Sequence, residues 1–168
     1  MITIRPEQSG DIAAIRIVNQ QAFETGAEAG LVDQLRVKGN LTISLAACDD
    51  GEVVGHIAFS PVSIVGAPHL RGVGLGPMAV LPGKQKLGVG SALVQAGLDR
   101  CRELGYDYAV VVGHTEYYPR FGFLPASRFG LHTKWDLPEG VFLVMELKPG
   151  TLKGAGGLVE YQAEFDAV

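Results

Sequence analysis

Residues 80 to 93 read Val80-Leu81-Pro82-Gly83-Lys84-Gln85-Lys86-Leu87-Gly88-Val89-Gly90-Ser91-Ala92-Leu93. The apolar run Met78-Ala79-Val80 ahead of them predicts the end of a strand. Ser91 to Leu104 behind them predicts an amphipathic helix. Between the two, Gly88 and Gly90 stand one residue apart, with Lys84 and Lys86 nearby and no carboxylate. A strand that turns through glycines into a helix start exposes several N–H groups with no partner inside the helix. The helix dipole adds partial positive charge there. Phosphate is the natural ligand of such a nest. The bland alternative is a plain strand-to-helix turn.

The Walker pattern wants Gly-Lys-Ser/Thr at the end of the loop, but Gly88 is followed by Val89 and Gly90. The dinucleotide fingerprint wants a third glycine after Gly90, and position 93 is Leu93. What remains is Gln85-x-x-Gly88-x-Gly90, preceded by Val80-x-Pro82. This resembles the coenzyme A pyrophosphate loop of the GNAT acetyltransferase superfamily.

Outward from the loop, Ile2-Thr3-Ile4-Arg5 predicts a short strand ending at Pro6. Ser9 is the expected cap of a helix beginning near Gly10 or Asp11, with Ile12, Ile15, Val18 and Ala22 at helical spacing. Leu31, Val32 and Leu35 predict a second helix that stops at Gly39-Asn40. Residues 24 to 27 form the joint between the two. Residues 42 to 47 and 52 to 65 predict strands around the tight turn Asp49-Asp50-Gly51. Pro61 implies a bulge or an edge position. Residues 70 to 80 predict a poor strand, because Gly72, Gly74, Gly76 and Pro77 interrupt it. Tyr108 to Val112 predicts a buried strand, Thr115 to Phe121 a short helix or turn, and Val141 to Leu147 a last strand. Residues 154 to 157 read as a flexible loop, and 158 to 165 as a tail. The unit 70–112 is expected to be a parallel crossover and all other pairing antiparallel. The fold class is therefore α/β, a mixed and mostly antiparallel sheet with helices on both faces. A single domain is expected over 1–168, with its core in 1–147 and an extension from 148 to 168.

A second motif follows the buried strand: Tyr117-Tyr118-Pro119-Arg120-Phe121-Gly122-Phe123. It resembles the late GNAT segment Tyr-x-x-x-Gly-Phe, and Tyr118 has the matching spacing where Tyr117 does not. Ile4-Arg5-Pro6 with Asp11-Ile12 is also GNAT-like, so the resemblance covers residues 1 to about 147. Together with Leu147-Lys148-Pro149-Gly150 and Gly157-Leu158-Val159-Glu160-Tyr161, the wording is similar to the YhbS-like bacterial subgroup.

The resemblance implies acetyl transfer from acetyl-CoA to an amine of a small molecule or peptide. It also implies a cofactor site at Met78, Ala79, Val80, Gln85, Lys86, Leu87, Gly88, Val89, Gly90 and Ser91. Glycine is the residue that tolerates a pyrophosphate at close range, and Lys84 and Lys86 are expected to neutralise its remaining charge. The pantetheine amides are expected to pair with the strand edge at 78 to 80, as peptides do in β-augmentation. Pro77 offers no N–H there. A backbone N–H near Met78 would meet the thioester oxygen, and Tyr118 would protonate the leaving thiolate. No carboxylate occupies 78 to 80, where some family members keep one. The base is therefore expected to act through water from Glu24, Glu28, His114 or Glu116. A half-buried structural Tyr118, packing roles for Tyr117 and Arg120, and surface or capping roles for the two glutamates are the plainer readings. Trp135, with Lys134 and Asp136, reads as surface loop.

With 168 residues, 47% of them hydrophobic, the chain is long enough for one packed core. Its net charge of −4 and lack of basic runs argue against nucleic acid as the main partner. No stretch is long enough to cross a membrane, and Met1 to Arg5 lacks the order of a signal peptide. Cys48 and Cys101 make neither a disulfide framework nor metal spacing. A metal-free protein of the reduced cytoplasm, monomeric or homodimeric, is expected. Two other function classes stay open: an acyl-CoA-binding or regulatory module without catalysis, and a nucleotide-phosphate binder. A proton donor at the sulfur is of no use to either.

Overall fold

The computed structural model describes all 168 residues. They cluster into two compact units. One comprises Met1–Ser60, Gly76–Asp99 and Ala163–Val168; the other comprises Pro61–Leu75 and Arg100–Gln162.

In the first unit, strands β1 (Ile2–Pro6), β2 (Ile43–Asp49) and the leading part of β3 (Glu52–Ile64) are antiparallel neighbours. The β2–β3 turn is tight because Asp50 and Gly51 both take positive φ, 50° and 86°, the geometry that Asp-Gly supplies best. The end of β4 (Gly72–Val80) lies beside the start of β3, where the Leu81 N–H donates to the Val54 carbonyl at 2.9 Å.

Helix α1 (Ile12–Ala22) buries Ile15, Val18 and Asn19. Its start differs from the expected Ser9 cap. The Asp11 carboxylate accepts the Gln8 N–H at 2.7 Å and also binds the Arg5 guanidinium, with Nη2 3.0 Å from Oδ1. A carboxylate closes the turn better than a hydroxyl here because Arg5 holds it ionised, with its pKa down at about 2. Helix α2 (Ala27–Val37) ends as predicted: Gly39 is left-handed and the Asn40 N–H reaches back to the Leu35 carbonyl at 2.8 Å. Successive residues of β3 point to opposite faces. His56 contacts Asn19 of α1. On the other face, Gly55 and Phe59 pack against helix α3 (Val89–Glu103), through Val89, Leu93 and Gly97. Helices thus cover both faces of this part of the sheet.

In the second unit, the start of β4 runs parallel to β5 (Tyr108–Val112), which is antiparallel to β8 (Phe142–Glu146). The two-residue strand β6 (Leu124–Pro125) pairs antiparallel with β8. Two expectations are corrected here. Residues Gly157–Glu160 are a strand, β9, antiparallel to the end of β3, rather than loop and tail. A second parallel pair also exists, between β9 and β7 (Leu131–His132). The glycines that spoil the pattern of β4 make room for rings. A Cβ at Gly72 would lie 2.2 Å from Tyr108 Cζ, and one at Gly74 would lie 2.8 Å from Tyr161 Cε2. The apolar core of this unit includes Val62, Tyr108, Val110, Leu131, Phe142, Val144 and Leu152.

Candidate functional site

The loop after β4 has the construction its sequence predicts. Pro82–Lys84 makes one 3-10 turn, closed by the Lys84 N–H on the Leu81 carbonyl at 2.8 Å. Lys86 and Gly88 then take positive φ, 66° and 83°. The first helical bond of α3 runs from the Ala92 N–H to the Gly88 carbonyl at 3.0 Å. Helix α3 therefore starts at Val89, two residues before the expected Ser91, and the Val89 and Gly90 N–H groups precede its first bond. They sit at the positive end of a 15-residue helix. Gly88 is exposed, and nothing lies within 4 Å of a Cβ built on it. Gln85 spans the base of the loop, its side-chain amide donating to the Val80 carbonyl at 3.1 Å. Lys86, Leu87 and Gly88 are exposed, and Gly90 and Ser91 are half-buried.

Lys84 departs from its expected role. Its ammonium lies 3.0 Å from the Asp49 carboxylate, which raises its pKa and commits it to holding the loop against β2. The charge facing outward from the loop is that of Lys86.

Strand β4 meets β5 from Gly72–Tyr108 to Leu75–Val111. Gly76, Pro77, Met78, Ala79 and Val80 carry the strand on beyond that ladder. Ala79 and Val80 are buried and Met78 is half-buried.

Tyr118 belongs to the second unit, where it opens the 3-10 turn Tyr118–Phe121. It is 7% exposed. Its ring meets Tyr117 and Phe123 edge-on, with centroids 5.1 and 5.8 Å away. A Cβ at Gly113 would lie 2.6 Å from the Tyr118 ring, so only glycine admits it there. Burial, helped by Tyr117, pushes the phenol pKa up to about 12. Tyr117 packs: the Arg120 guanidinium sits over its ring at 4.6 Å, and Arg120 Nε donates to its carbonyl at 3.0 Å. Of the four candidate bases, Glu24, His114 and Glu116 are exposed, and half-buried Glu28 accepts a hydrogen bond from Thr25 at 3.3 Å.

Two features escaped the sequence reading. One is a buried polar chain through His56. The other is Trp135, expected on the surface; its indole instead packs on Tyr161, with centroids 5.1 Å apart. No local pattern announces either.

A family model described as the acetyltransferase (GNAT) family matches residues 13–123. The chain belongs to the GNAT acetyltransferase family. Membership makes it an acetyl-CoA-dependent acetyltransferase. A GNAT relative named uncharacterized N-acetyltransferase YhbS, from Escherichia coli K12, is 41% identical over 97% of this chain and 98% of its own length. A second, YjhQ from the same strain, is 35% identical over 82% of this chain and 78% of its own. The crystal structure of E. coli YhbS in complex with CoA superposes with a TM-score of 0.94 at 40% identity, covering 98% of this chain and 92% of that one. A GNAT acetyltransferase from Brucella melitensis in complex with acetyl-CoA gives 0.82 at 37% identity, covering 99% of both chains. No group of three or more His, Cys, Asp or Glu side chains has the arrangement to hold a metal ion. No helix is long and apolar enough to cross a membrane.

Proposed function

We propose that the acceptor is the primary amine of a small molecule or peptide, and that the acetyl group passes to it directly from acetyl-CoA. The observation that carries the cofactor side of this reading is the set of N–H donors at Val89 and Gly90, at the head of α3 and in the loop that follows β4. Acetyl-CoA, when bound, supplies an electrophilic thioester carbonyl and a thiolate leaving group. In this reading the N–H groups of Val89 and Gly90 hold pyrophosphate oxygens. Lys86 adds charge, while Leu87 and Ser91 flank the site. Gln85 braces the loop from beneath. Backbone groups of Met78, Ala79 and Val80 pair with the pantetheine amides, supported by the run of β4 past its ladder with β5. Tyr118 gives its proton to the departing sulfur, a role supported by its spacing to Gly122-Phe123; burial raises its pKa to about 12, which keeps the phenol protonated at neutral pH but makes it a weak acid. The proton lost by the attacking ammonium leaves by water to Glu24, Glu28, His114 or Glu116. Their solvent access supports a relay better than direct contact.

In the same reading the chain acts as one acyltransferase domain, with its core in 1–147 and an extension over 148–168. The family match across 13–123, which draws on both units, supports this. Two free, buried cysteines agree with a reduced compartment such as the cytoplasm.

The test is release of free thiol from acetyl-CoA against a panel of primary amines. Amine-dependent release supports the reading. Tight acetyl-CoA binding with no release for any amine returns the binding-module alternative.

A further inference from the structure

The second unit contains a cavity of about 170 Å³ that the donor chemistry leaves unused. Ser127, His132, Trp135, Leu137, Glu139 and Phe142 are among its lining residues. Its size suits a side-chain-sized group rather than a nucleotide, since pockets for drug-sized ligands run to roughly 300–1,000 Å³. Its chemistry is lopsided. Glu139 is the one carboxylate in the wall, and no lysine or arginine lines it. The charges of Arg128, Lys134 and Asp136 are exposed on neighbouring positions rather than in the wall.

The wall is also held in place. Ser127 Oγ donates to Glu139 Oε1 at 2.8 Å, which orients the carboxylate. The Trp135 backbone N–H donates to Thr133 Oγ1 at 3.2 Å, and the indole rests on Tyr161. Glu139 and His132 are exposed at the rim of this wall; a carboxylate and two aromatic side chains lining one cavity suit an organic cation, through charge and through the ring faces.

The cavity adjoins the segment that carries the proposed proton donor. A Cβ at Gly140, in the wall, would lie 3.6 Å from Thr115 Cγ2. The next carbonyl, of Val141, accepts the Gly113 N–H at 3.0 Å, and Gly113 lies beneath the Tyr118 ring.

We propose that this cavity receives a compact organic cation on the acceptor molecule, the distal ammonium of a diamine, with Glu139 as its counter-charge and Trp135 and Phe142 as its aromatic walls. The proposal rests on the reading that the acceptor is an amine. It narrows that class to amines carrying a second positive charge a few carbons from the reacting one.

Trp135 is the single tryptophan of the chain, so its fluorescence reports occupancy without any turnover. The experiment titrates the full-length protein, at constant ionic strength, with 1,4-diaminobutane and with the uncharged butane-1,4-diol. The diamine is expected to give a saturable change in emission and the diol none. Glu139→Gln is expected to raise the diamine Kd about tenfold while acetyl-CoA affinity and the melting curve stay as in the parent. No saturable change, an equal response to the diol, or an unchanged Kd in Glu139→Gln would overturn the proposal. Saturable, Glu139-dependent binding of the diamine with no thiol release for any amine would sustain the cavity and refute the amine-transfer reading. Thiol release with a silent Trp135 would do the reverse.

Discussion

Ser44 Oγ lies 2.8 Å from His56 Nε2, inside the first unit and between two strands. The Ser44 hydroxyl donates to Glu7 Oε1 at 2.7 Å, so it accepts from the imidazole, and the proton sits on Nε2. Nδ1 is then the acceptor for Asn19 Nδ2 at 3.3 Å. Arg36 closes the chain with two bonds to Glu7, at 2.6 and 3.0 Å. One neutral histidine thereby ties α1, α2, β2, β3 and Glu7, the residue after β1, together. Burial pushes the Glu7 carboxyl up, but Arg36 and Ser44 outweigh it and hold it below the usual range.

Stability is predicted to fall on mild acidification because of His56. Burial drives its pKa down to about 4; the Glu7 charge opposes this and Arg36 adds to it. The unfolded chain takes up this proton near pH 6.5 and the folded one does not. The contribution is therefore whole above pH 6.5 and is lost as pH falls toward 4. The shift is worth at most roughly 3 kcal/mol. Thermal melts between pH 6.5 and 5 should show Tm dropping in the parent. The same melts of His56→Gln should be flat across that window, from a lower starting point. Parallel curves for the two proteins would refute the assignment.

Gly97→Ala is predicted to destabilise although it improves an α-helix. Alanine gains about 1 kcal/mol of helix propensity over glycine. The added Cβ, however, falls 2.3 Å from Phe59 Cε1 and 2.7 Å from Cζ, and Phe59 is fully buried. Overpacking of this kind costs about 1–3 kcal/mol and can exceed that where nothing yields. A Tm lower by about 2–4 °C or more is expected; an unchanged or higher Tm would show that Phe59 moves aside freely.

Gly90→Asp is predicted to abolish acetyl-CoA binding while keeping the fold. A carboxylate in the first turn of α3 suits the helix dipole, so the melting curve should hold. The same charge repels the pyrophosphate, a penalty of several kcal/mol where like charges meet. Calorimetry should show affinity reduced by about a hundredfold or more. Parental affinity would move the phosphate site away from this loop.

Tyr118→Phe is predicted to lower kcat by about 10²-fold, the lower end of general-acid effects, because a thiolate already leaves well. Acetyl-CoA affinity should be nearly unchanged. With its pKa near 12, Tyr118 should impose no alkaline limb on the parent's kcat up to about pH 10. Tyr117→Phe, which keeps the ring beneath Arg120, should be nearly silent. A large loss in Tyr117→Phe with a normal Tyr118→Phe would mean the roles are exchanged.

The parts legible in the sequence were those whose cause is local. Asp50-Gly51 makes its turn from its own φ preferences, Gly39-Asn40 ends α2 within one turn, and Gly88 to Gly90 opens α3 through bonds four residues long. Each needs no partner from elsewhere, so residue type and spacing were enough. Element types were read on the same basis, and boundaries moved where a side chain from outside took over. Lys84 stands next to the glycines in sequence, but Asp49, 35 residues away, pairs with it.

The remainder depended on where distant segments return. The partners of His56 lie 12 and 37 residues away, and Glu7 and Arg36 are 29 apart. Residues 157 to 160 have no strand signal of their own and become a strand because the end of β3 and Leu131–His132 stand ready to pair with them. Trp135 is ordered by Tyr161, whose ring fills the space that Gly74 leaves. Sequence alone determined the glycine loop between β4 and α3 and the types of those two elements, since backbone geometry and helix dipoles are properties of short stretches. Only the tertiary structure decided the buried histidine chain and the walls of the Glu139 cavity, because packing and long-range hydrogen bonds select partners that no periodicity records.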